Sequence, residues 1–460
     1  MNRPQHIDRR SFFKRAAGTG LVAPAFIKNL MSQPPSGKLR LASFGADGMA
    51  YDTLNAICGH PNATLSCVAE VDQNRTTRVK AKFPDAKVYS NWREMLDKER
   101  KNIDMACVAT PDHMHAAITM TAMRMGIPCY TQKPLTHDIY ETRKLREYAD
   151  KAKLVTQMGI QRHSCAEYKT AVKLIQSGVI GKIKEVHAWD YKTWGDPNPF
   201  PDHTDPVPPT MDWNQWLGVA AERPFINGFY HPSEWRKRVD FGTATFGDMG
   251  CHIYDPPFTA LALTSPISLV SEGPPPNGQS WSTNAIVHYV YPGTQYTEGK
   301  TVNVTWTDGA ERPPQEILAM LGTRRAPNEG SIFVGTEGVM LLQHTAMPVL
   351  FPEEKFKNFK ITATRGRGGV AKAEWQGGST EMDDHYFQFV DAVAGKGKTS
   401  TSFDYSGPLT ESVLLGSVAT RFPKQKLMWD AAKLKFDGNA EATAFVRRKY
   451  RKGFTVEGLS

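Results

Sequence analysis

Short apolar runs alternate with helical segments over the first third of the chain. Five runs have the length and apolar character of buried strands: Leu39–Phe44, Leu65–Val71, Ile103–Ala109, Ile127–Tyr130 and Leu154–Met158. Helices are predicted between them, including Asn91–Lys98, Ala116–Met125 and Ile139–Ala152. This alternation predicts an α/β fold with a doubly wound parallel sheet over residues 38–160.

Residues 161–460 have a different pattern. A helix (Glu167–Ser177) and a strand (Ile183–Tyr191) precede alternating runs at Ala285–Tyr291, Thr301–Trp306 and Ser331–Leu342. Period-two alternation indicates strands with one buried face, so we expect a C-terminal α+β domain with a large open, mainly antiparallel sheet. Segments 308–330 and 362–380 are rich in Gly, Arg and Pro and are predicted to be loops, whereas residues 431–460 carry no motif that we can interpret.

The N-terminal 37 residues are predicted to be a targeting signal and a linker. Arg9-Arg10 precede a weakly apolar segment, and Ala23-Pro24-Ala25 matches an A-x-A cleavage site. We therefore expect twin-arginine export to the periplasm with cleavage after Ala25. A basic arm for nucleic acid fits this segment poorly, because the arginines lie directly before an apolar run.

Composition and charge narrow the function further. The chain has 460 residues, 40% of them hydrophobic and 22% charged, which is ordinary for a soluble enzyme of two domains. Removing residues 1–25 lowers the formal charge from +9 to +5, which gives no reason to expect nucleic acid. No apolar run approaches the roughly 18–20 residues of a membrane span. The six cysteines are scattered and specify no disulfide.

The first strand runs into Gly45-Ala46-Asp47-Gly48-Met49-Ala50, where a dinucleotide-binding fold has G-x-G-x-x-G/A. Gly45 can form the tight turn and Ala50 can pack closely, but Asp47 occupies the second glycine position. A carboxylate there should repel a pyrophosphate. Alternatively the register has shifted by one residue, so that Gly48 faces the phosphates.

Two further strand ends offer cofactor contacts. Glu70 lies about 20 residues after the glycine loop, where an acid binds ribose hydroxyls and disfavours a 2′-phosphate, so NAD is expected rather than NADP. Asp72 competes for that role, and a solvated acid is the alternative. Thr110, Pro111 and His115 follow the third strand and suit the rim of a cofactor site, whereas Asp112 is expected to cap a helix.

A lysine follows the next strand, in Gln132-Lys133-Pro134-Leu135. Pro134 restricts the backbone of Lys133 to extended conformations, and the end of a parallel strand lies at the ligand crevice of an open sheet. An amine partly desolvated there suits a general acid or base. The alternative is an ordinary solvated lysine.

Asp248 and His252, four positions apart, are a second pair of candidate catalytic residues. On a helix they share a face, and a carboxylate that orients an imidazole keeps it basic. An N-cap aspartate beside an incidental histidine is one alternative. Two metal ligands are another, but no third ligand is evident, so no metal is expected.

Together these motifs resemble the Gfo/Idh/MocA oxidoreductase family, which includes glucose-fructose oxidoreductase and inositol dehydrogenase. The resemblance covers about residues 38–430 and implies a Rossmann domain, NAD as cofactor and hydride transfer on a carbohydrate or polyol. It implies Lys133, Asp248 and His252 as catalytic residues and Tyr230, His231 and Arg236 as substrate-binding residues. Gln161 and Gln132 are expected beside the cofactor, and Gln132 stands where the family usually has Glu. The C-terminal helical segments, Asp384–Ala394 and Ser406–Arg421, are expected to pack back on the first domain.

Three functions follow as hypotheses. The first is an exported NAD-dependent oxidoreductase on a sugar or polyol, expected as a homo-oligomer. The second is a glycoside-cleaving enzyme with retained NAD, similar to α-N-acetylgalactosaminidases of this family, because soluble NAD is not replenished outside the cytoplasm. The third is a non-redox carbohydrate-binding relative whose cofactor loop is degenerate at Asp47.

Overall fold

A six-stranded sheet forms the first part of the chain. The computed structural model describes residues 37–364 and 380–460. The strands are β1 (Leu39–Phe44), β2 (Ala63–Ala69), β3 (Lys87–Tyr89), β4 (Met105–Val108), β5 (Cys129–Gln132) and β6 (Thr156–Gly159). Their order is β3-β2-β1-β4-β5-β6, and every neighbouring pair is parallel. The predicted doubly wound sheet is confirmed.

Five helices flank this sheet: α1 (Met49–Cys58), α2 (Thr77–Lys82), α3 (Trp92–Glu99), α4 (Asp112–Arg124) and α5 (Ile139–Ala152). The start of α5 is fixed by a capping box, in which the Asp138 carboxylate accepts the Glu141 N–H at 2.8 Å and Glu141 accepts the Asp138 N–H at 3.3 Å. Because α5 begins there, the connection from β5 is short and holds Lys133 close to the end of its strand.

A nine-stranded sheet forms the second part. Its strands are β7 (Ile183–Asp190), β8 (Ser268–Ser271), β9 (Ala285–Pro292), β10 (Thr301–Asp308), β11 (Gly330–Gly335), β12 (Val339–Gln343), β13 (Val349–Phe351), β14 (Leu427–Asp430) and β15 (Lys435–Asp437). Their order is β13-β12-β11-β7-β10-β9-β8-β14-β15. Only β7 and β10 pair in parallel, so the predicted mainly antiparallel sheet is confirmed.

Along the chain, the helices of the second part occur before, between and after the strands of this sheet. They are α6 (Ala166–Gln176), α7 (Trp213–Leu217), α8 (Cys251–Ile253), α9 (Asp255–Ala260), α10 (Gln315–Ala319), α11 (Glu353–Phe356), α12 (Thr380–Val393), α13 (Phe403–Ala419) and α14 (Ala440–Ala444). A π-helical turn, Phe246–Gly250, leads directly into α8. Among the described residues, no helix combines the length and apolar character needed to cross a membrane.

The C-terminal helices contact the first sheet and its helices. Phe389 and Val390 of α12 are buried with Leu54 of α1 and Tyr130 of β5. Helix α13 lies against α5, where the Arg143 guanidinium donates two hydrogen bonds to the Glu411 carboxylate, at 2.7 and 2.8 Å. The last residues reach the same helix, since the Tyr450 hydroxyl donates to Glu141 at 2.6 Å. These contacts surround the β5–α5 connection that contains Lys133.

Two features differ from the sequence-based expectation. Strand β3 was not predicted, because Lys-Val-Tyr has a single aliphatic residue; Lys87 and Tyr89 are held by their contacts with Glu99, at 2.8 and 2.6 Å. The predicted loop 308–330 contains α10, and most of the predicted loop 362–380 lies outside the described residues.

Candidate active site

A cavity of about 510 Å³ lies where the carboxyl ends of β1, β4 and β5 face the second part of the chain. The ligand crevice of an open parallel sheet lies at these ends. Most of the predicted site residues line it: Gly45, Asp47, Gly48, Met49, Glu70, Thr110, Pro111, His115, Gln132, Lys133, Gln161, His231, Arg236, Asp248 and His252.

The glycine loop fits a dinucleotide in the shifted register. Gly45 has a φ of +106°, and a Cβ there would lie 2.7 Å from the Ala50 Cβ, so this turn requires glycine. Gly48 precedes α1 with a φ of +55°, and a Cβ there would meet no atom within 4 Å. Open space beside a glycine at a helix N-terminus allows phosphate groups to approach the backbone.

Asp47 lines the cavity but its carboxylate is paired with two arginines. Its Oδ2 lies 2.9 Å from a terminal nitrogen of Arg75, and its Oδ1 lies 3.7 Å from one of Arg78. Both arginines follow β2. The two arginines therefore compensate the carboxylate charge of Asp47. This reduces the repulsion that the carboxylate would exert on the pyrophosphate of a bound cofactor.

Glu70 connects the glycine loop to the end of β2. Its carboxylate accepts the Ala46 N–H at 3.0 Å and the Asp72 N–H at 3.1 Å. Burial raises the pKa of Glu70 despite these two bonds. The Ala46 amide is engaged with Glu70 and Ala46 itself is fully buried, so Ala46 is not among the residues that line the cavity.

His115 connects two loops of the cavity. Its Nδ1 lies 2.8 Å from the Pro134 carbonyl oxygen, and its Nε2 lies 2.8 Å from the Thr110 carbonyl oxygen. Burial lowers its pKa to about 4. A neutral imidazole carries one N–H, so the ring donates to one of these two carbonyl oxygens and only contacts the other.

Asp112 does not cap its helix, contrary to the expectation. Its carboxylate is buried and accepts the Thr243 hydroxyl at 2.7 Å, while α4 begins without a side-chain cap. Burial raises the pKa of Asp112 to about 7. It adds a proton-binding group to the wall of the cavity.

Lys133 extends from the end of β5 and contacts the second part of the chain. Its Nζ lies 2.6 Å from the Asp248 carbonyl oxygen and 2.5 Å from Asp248 Oδ1. The preceding side chain, Gln132, donates to the Thr53 hydroxyl at 2.9 Å and packs so closely on Gly159 that a Cβ there would lie 2.7 Å from the amide. The peptide bond between Lys133 and Pro134 is cis.

Asp248 is the centre of a charged cluster. Its Oδ2 accepts the indole N–H of Trp194 at 2.8 Å, and Arg236 Nε lies 3.5 Å from its Oδ1. Burial works against ionisation, but the charges of Lys133 and Arg236 hold the pKa of Asp248 well below its ordinary value. Asp248 is therefore ionised at neutral pH.

His252 lies in the same cavity but is not oriented by Asp248, whose carboxylate oxygens bond Lys133 and Trp194 instead. The predicted carboxylate–imidazole pair is wrong for this reason. His252 Nδ1 is buried without a hydrogen-bond partner among the described residues. Burial and the charge of Lys133 lower its pKa well below the ordinary value, so its imidazole is neutral at physiological pH.

The predicted substrate loop divides between three locations. Tyr230 is 1% exposed within an aromatic cluster that includes Trp213, Trp216 and Phe241, so its predicted substrate contact is wrong. Both tryptophans of this cluster are buried. The remaining two members of the loop line the cavity at different ends.

His231 Nε2 lies 3.2 Å from Asp72 Oδ2, beside the end of β2 rather than beside Lys133. Arg236 is at the Asp248 end, with its guanidinium 4.3 Å from the centre of the Trp235 ring. Of the three predicted substrate residues, only Arg236 lies near the catalytic candidates.

The lining or supporting residues that sequence reasoning missed include Arg162, Lys192, Trp194 and His344. Lys192 and Trp194 follow the end of β7, as Lys133 follows β5, so the strand-end criterion that found Lys133 could also have found them. His344 follows β12, and its Nδ1 forms a 2.6 Å hydrogen bond with the Tyr168 hydroxyl. No local pattern marks it. Within the described ranges, no group of three His, Cys, Asp or Glu residues has the arrangement of a metal site.

Two family models match the chain. The model described as the NAD-binding Rossmann fold of an oxidoreductase family, Gfo/Idh/MocA, matches residues 39–160. The model for the C-terminal alpha/beta domain of the same family matches residues 165–311. Together they cover more than half of the chain.

Curated relatives match about a third of this chain. An inositol 2-dehydrogenase of Corynebacterium glutamicum is 27% identical over 150 residues, which are 32% of this chain and 44% of the relative. The NAD-dependent scyllo-inositol 2-dehydrogenase of Bacillus subtilis is 27% identical over 146 residues, 32% of this chain and 42% of the relative. The matched region thus spans less than half the length of these relatives.

Solved structures match over most of the chain. Levoglucosan dehydrogenase, in complex with NADH and L-sorbose, is 16% identical with a TM-score of 0.58, covering 85% of this chain and 98% of that protein. The WlbA dehydrogenase of Chromobacterium violaceum, in complex with NADH and UDP-GlcNAcA, is 14% identical with a TM-score of 0.59, covering 86% and 96%. At these identities the likeness establishes the shared fold.

Proposed function

The chain belongs to the Gfo/Idh/MocA oxidoreductase family, and on that premise we propose that it is an NAD-dependent enzyme acting on a hydroxyl-bearing carbon of a sugar or polyol. The main support is the contact between Lys133 and Asp248. It brings an ammonium group from the Rossmann sheet and an ionised carboxylate from the second domain into one cavity with the neutral imidazole of His252.

The residues that would hold NAD are the open backbone at Gly48, the carboxylate of Glu70, the loop of Thr110 and Pro111, and the side chain of Gln161, all of which line the cavity. When bound, NAD supplies the hydride acceptor. An acid at the ribose position favours NAD over NADP, because a carboxylate repels a 2′-phosphate.

The protein side chains manage the proton of the substrate hydroxyl. Lys133, fixed by Asp248, is positioned to donate a hydrogen bond to the substrate oxygen and to stabilise negative charge as the proton leaves. His252 accepts that proton, since burial keeps its imidazole neutral at physiological pH. In the reverse direction the same groups return the proton to the oxygen.

The direct test is NADH formation from a panel of neutral and acidic sugars and polyols, with wild type and Lys133→Met. Loss of a positioned proton-handling group should lower the rate on the order of 10²–10⁴-fold while NAD still binds. Lys184→Met, the same change at an exposed position of β7, should leave the rate unchanged. A Lys133→Met rate within a factor of a few of wild type would remove Lys133 from the mechanism.

A second candidate function is cleavage of a glycoside by an enzyme that retains its NAD. It is supported by contacts beside the predicted ribose position. Gln73 N–H donates to the Thr210 carbonyl at 2.9 Å, and Asp212 N–H donates to the Val71 carbonyl at 2.8 Å. This backbone pairing attaches the second domain to the end of β2 and would hinder cofactor exchange. Cleavage of chromogenic glycosides without added NAD and without net NADH favours this candidate. Turnover of added NAD favours the first.

We also propose export through the twin-arginine route, on the basis of Arg9 and Arg10, which lie outside the described residues. Replacing both with lysine should prevent appearance of the folded protein in the periplasmic fraction of a bacterial host. Unchanged periplasmic yield would contradict the proposal.

A further inference from the structure

Two cations at the Lys133 end of the cavity lack carboxylate partners. The other lining cations are paired, since Arg75 contacts Asp47, and Lys133 and Arg236 contact Asp248. The Nζ of Lys192 lies 3.0 Å from the sulfur of Met249, which is only a weak acceptor. The guanidinium of Arg162 has no carboxylate within ion-pair distance and no hydrogen-bond acceptor among the described residues.

Both cations act on the same part of the cavity. Burial lowers the pKa of His344 to about 3, and the positive charges of Arg162, Lys192 and Lys133 contribute in that order. His344 and His252 have ring centres 5.6 Å apart, so the two unpaired cations lie around the space next to the proposed proton acceptor.

The acids next to Lys192 are Asp190 and, beside it, Glu329, and among the described residues neither forms an ion pair with the Lys192 side chain. Asp190 Oδ1 accepts the backbone N–H of Lys192 at 2.7 Å, but burial raises the pKa of Asp190 to about 7. Its carboxyl group is therefore incompletely ionised at neutral pH. At the Lys133 end of the cavity, Lys192 and Arg162 are therefore the cations whose side chains have no carboxylate partner among the described residues.

We propose that the substrate is an anionic sugar or polyol, such as a uronate or aldonate, whose carboxylate is bound by Lys192 and Arg162. This inference rests on the proposed function and specifies its substrate class. A guanidinium presents paired N–H donors that match the two oxygens of a carboxylate, and an ammonium adds a third donor. The reacting hydroxyl would lie between Lys133 and His252, on the other side of the ligand.

A carboxylate fits this site better than a phosphate. Phosphate sites commonly use a row of backbone amides at a helix N-terminus. Lys192 instead follows the end of a strand, and Arg162 lies in a single 3₁₀ turn, Gln161–Ser164. Two separate side-chain cations are sufficient for one monovalent group.

The test is calorimetric titration of NAD-loaded protein with matched pairs of ligands. D-glucuronate, D-galacturonate and D-gluconate are compared with D-glucose, D-galactose and D-glucitol. We expect at least one acid to bind about tenfold or more tightly than its neutral partner, with an advantage that shrinks as salt rises. Lys192→Met and Arg162→Met should each remove about 10- to 100-fold of the acid affinity, as loss of a charge-assisted hydrogen bond implies.

Lys184→Met is the matched control, because it removes the same charge from an exposed position of β7, the strand that precedes Lys192. It should leave acid binding unchanged. Equal affinity for acids and neutral sugars, no measurable binding of any acid, or an unchanged acid affinity in both cavity variants would overturn the inference. Binding of D-glucose 6-phosphate in preference to every acid would overturn it as well.

Failure of this inference is distinguishable from failure of the proposed function. NAD is titrated separately into each variant. Normal NAD binding with turnover of neutral substrates only would refute the anionic substrate and retain the oxidoreductase. Absence of NAD binding in wild type would refute the oxidoreductase itself.

Discussion

Replacing Asp47 with alanine should change cofactor selectivity rather than overall cofactor affinity. In the wild type, Asp47 holds Arg75 at 2.9 Å and Arg78 at 3.7 Å. Arg75 lines the cavity beside Glu70, at the position where the ribose is expected. Without Asp47, Arg75 is free to bind the 2′-phosphate of NADP. The backbone of Asp47 has no left-handed φ, so alanine fits without strain.

The size of the change in NADP affinity follows from how exposed the Arg75 and Asp47 side chains are. The Arg75 and Asp47 side chains are 28% and 25% exposed, so solvent weakens their interactions. A new arginine–phosphate contact there should contribute about 1–2 kcal/mol, less than the full value of a buried charge-assisted bond. That corresponds to about a 5- to 30-fold gain in NADP affinity, while NAD affinity changes by about twofold or less.

Calorimetric titration of both cofactors, at low and high salt, measures this change in selectivity. Asp52→Ala is the matched control, since it removes a carboxylate from the first turn of α1 that contacts neither arginine. An equal tightening of NAD and NADP in Asp47→Ala would refute the reasoning, because it would mean that Asp47 repels the pyrophosphate shared by both cofactors.

Three further changes test the site. Glu70→Ala should weaken NAD binding by about tenfold and reduce discrimination against NADP; unchanged titrations of both would exclude Glu70 from the ribose site. His231→Ala removes the 3.2 Å contact with Asp72 and should accelerate NAD dissociation in stopped-flow experiments, and an unchanged rate would show that this contact does not retain the cofactor. Asp112→Asn should stabilise the protein at about pH 8 by on the order of 1–4 kcal/mol but not at about pH 4, measured by unfolding at both pH values. The raised pKa of about 7 means that wild-type stability falls as pH rises through that value, so an equal difference at both pH values would contradict the burial argument.

The sequence predicted the sheets well because their strands are marked by apolar runs. All five strands predicted in the first domain are present, within about two residues at each end in most cases. The missed strand β3 shows the limit of that signal. It lies at the edge of the sheet and is held by Lys87 and Tyr89 contacting Glu99, which is a side-chain arrangement and not an apolar pattern.

The sequence also identified most of the cavity, because strand ends of a parallel sheet must lie together. It could not specify side-chain partners across the two domains. Asp248 was expected to orient His252, its neighbour on the chain, but bonds Lys133, which is 115 residues away. Tyr230 and His231 are adjacent in sequence yet lie in an aromatic cluster and beside Asp72 respectively. The direction in which each of these side chains points depends on packing between elements that are distant in the chain.

The central claim is that this chain binds NAD in the cavity where Lys133 meets Asp248. The most direct measurement is to denature the purified, folded protein, assay the supernatant for NAD(H), and titrate NAD into protein stripped of cofactor. We predict that the dinucleotide released, or bound on titration, reaches one per chain and that NAD binds more tightly than NADP. Protein that releases no dinucleotide and binds neither cofactor on titration would contradict the claim.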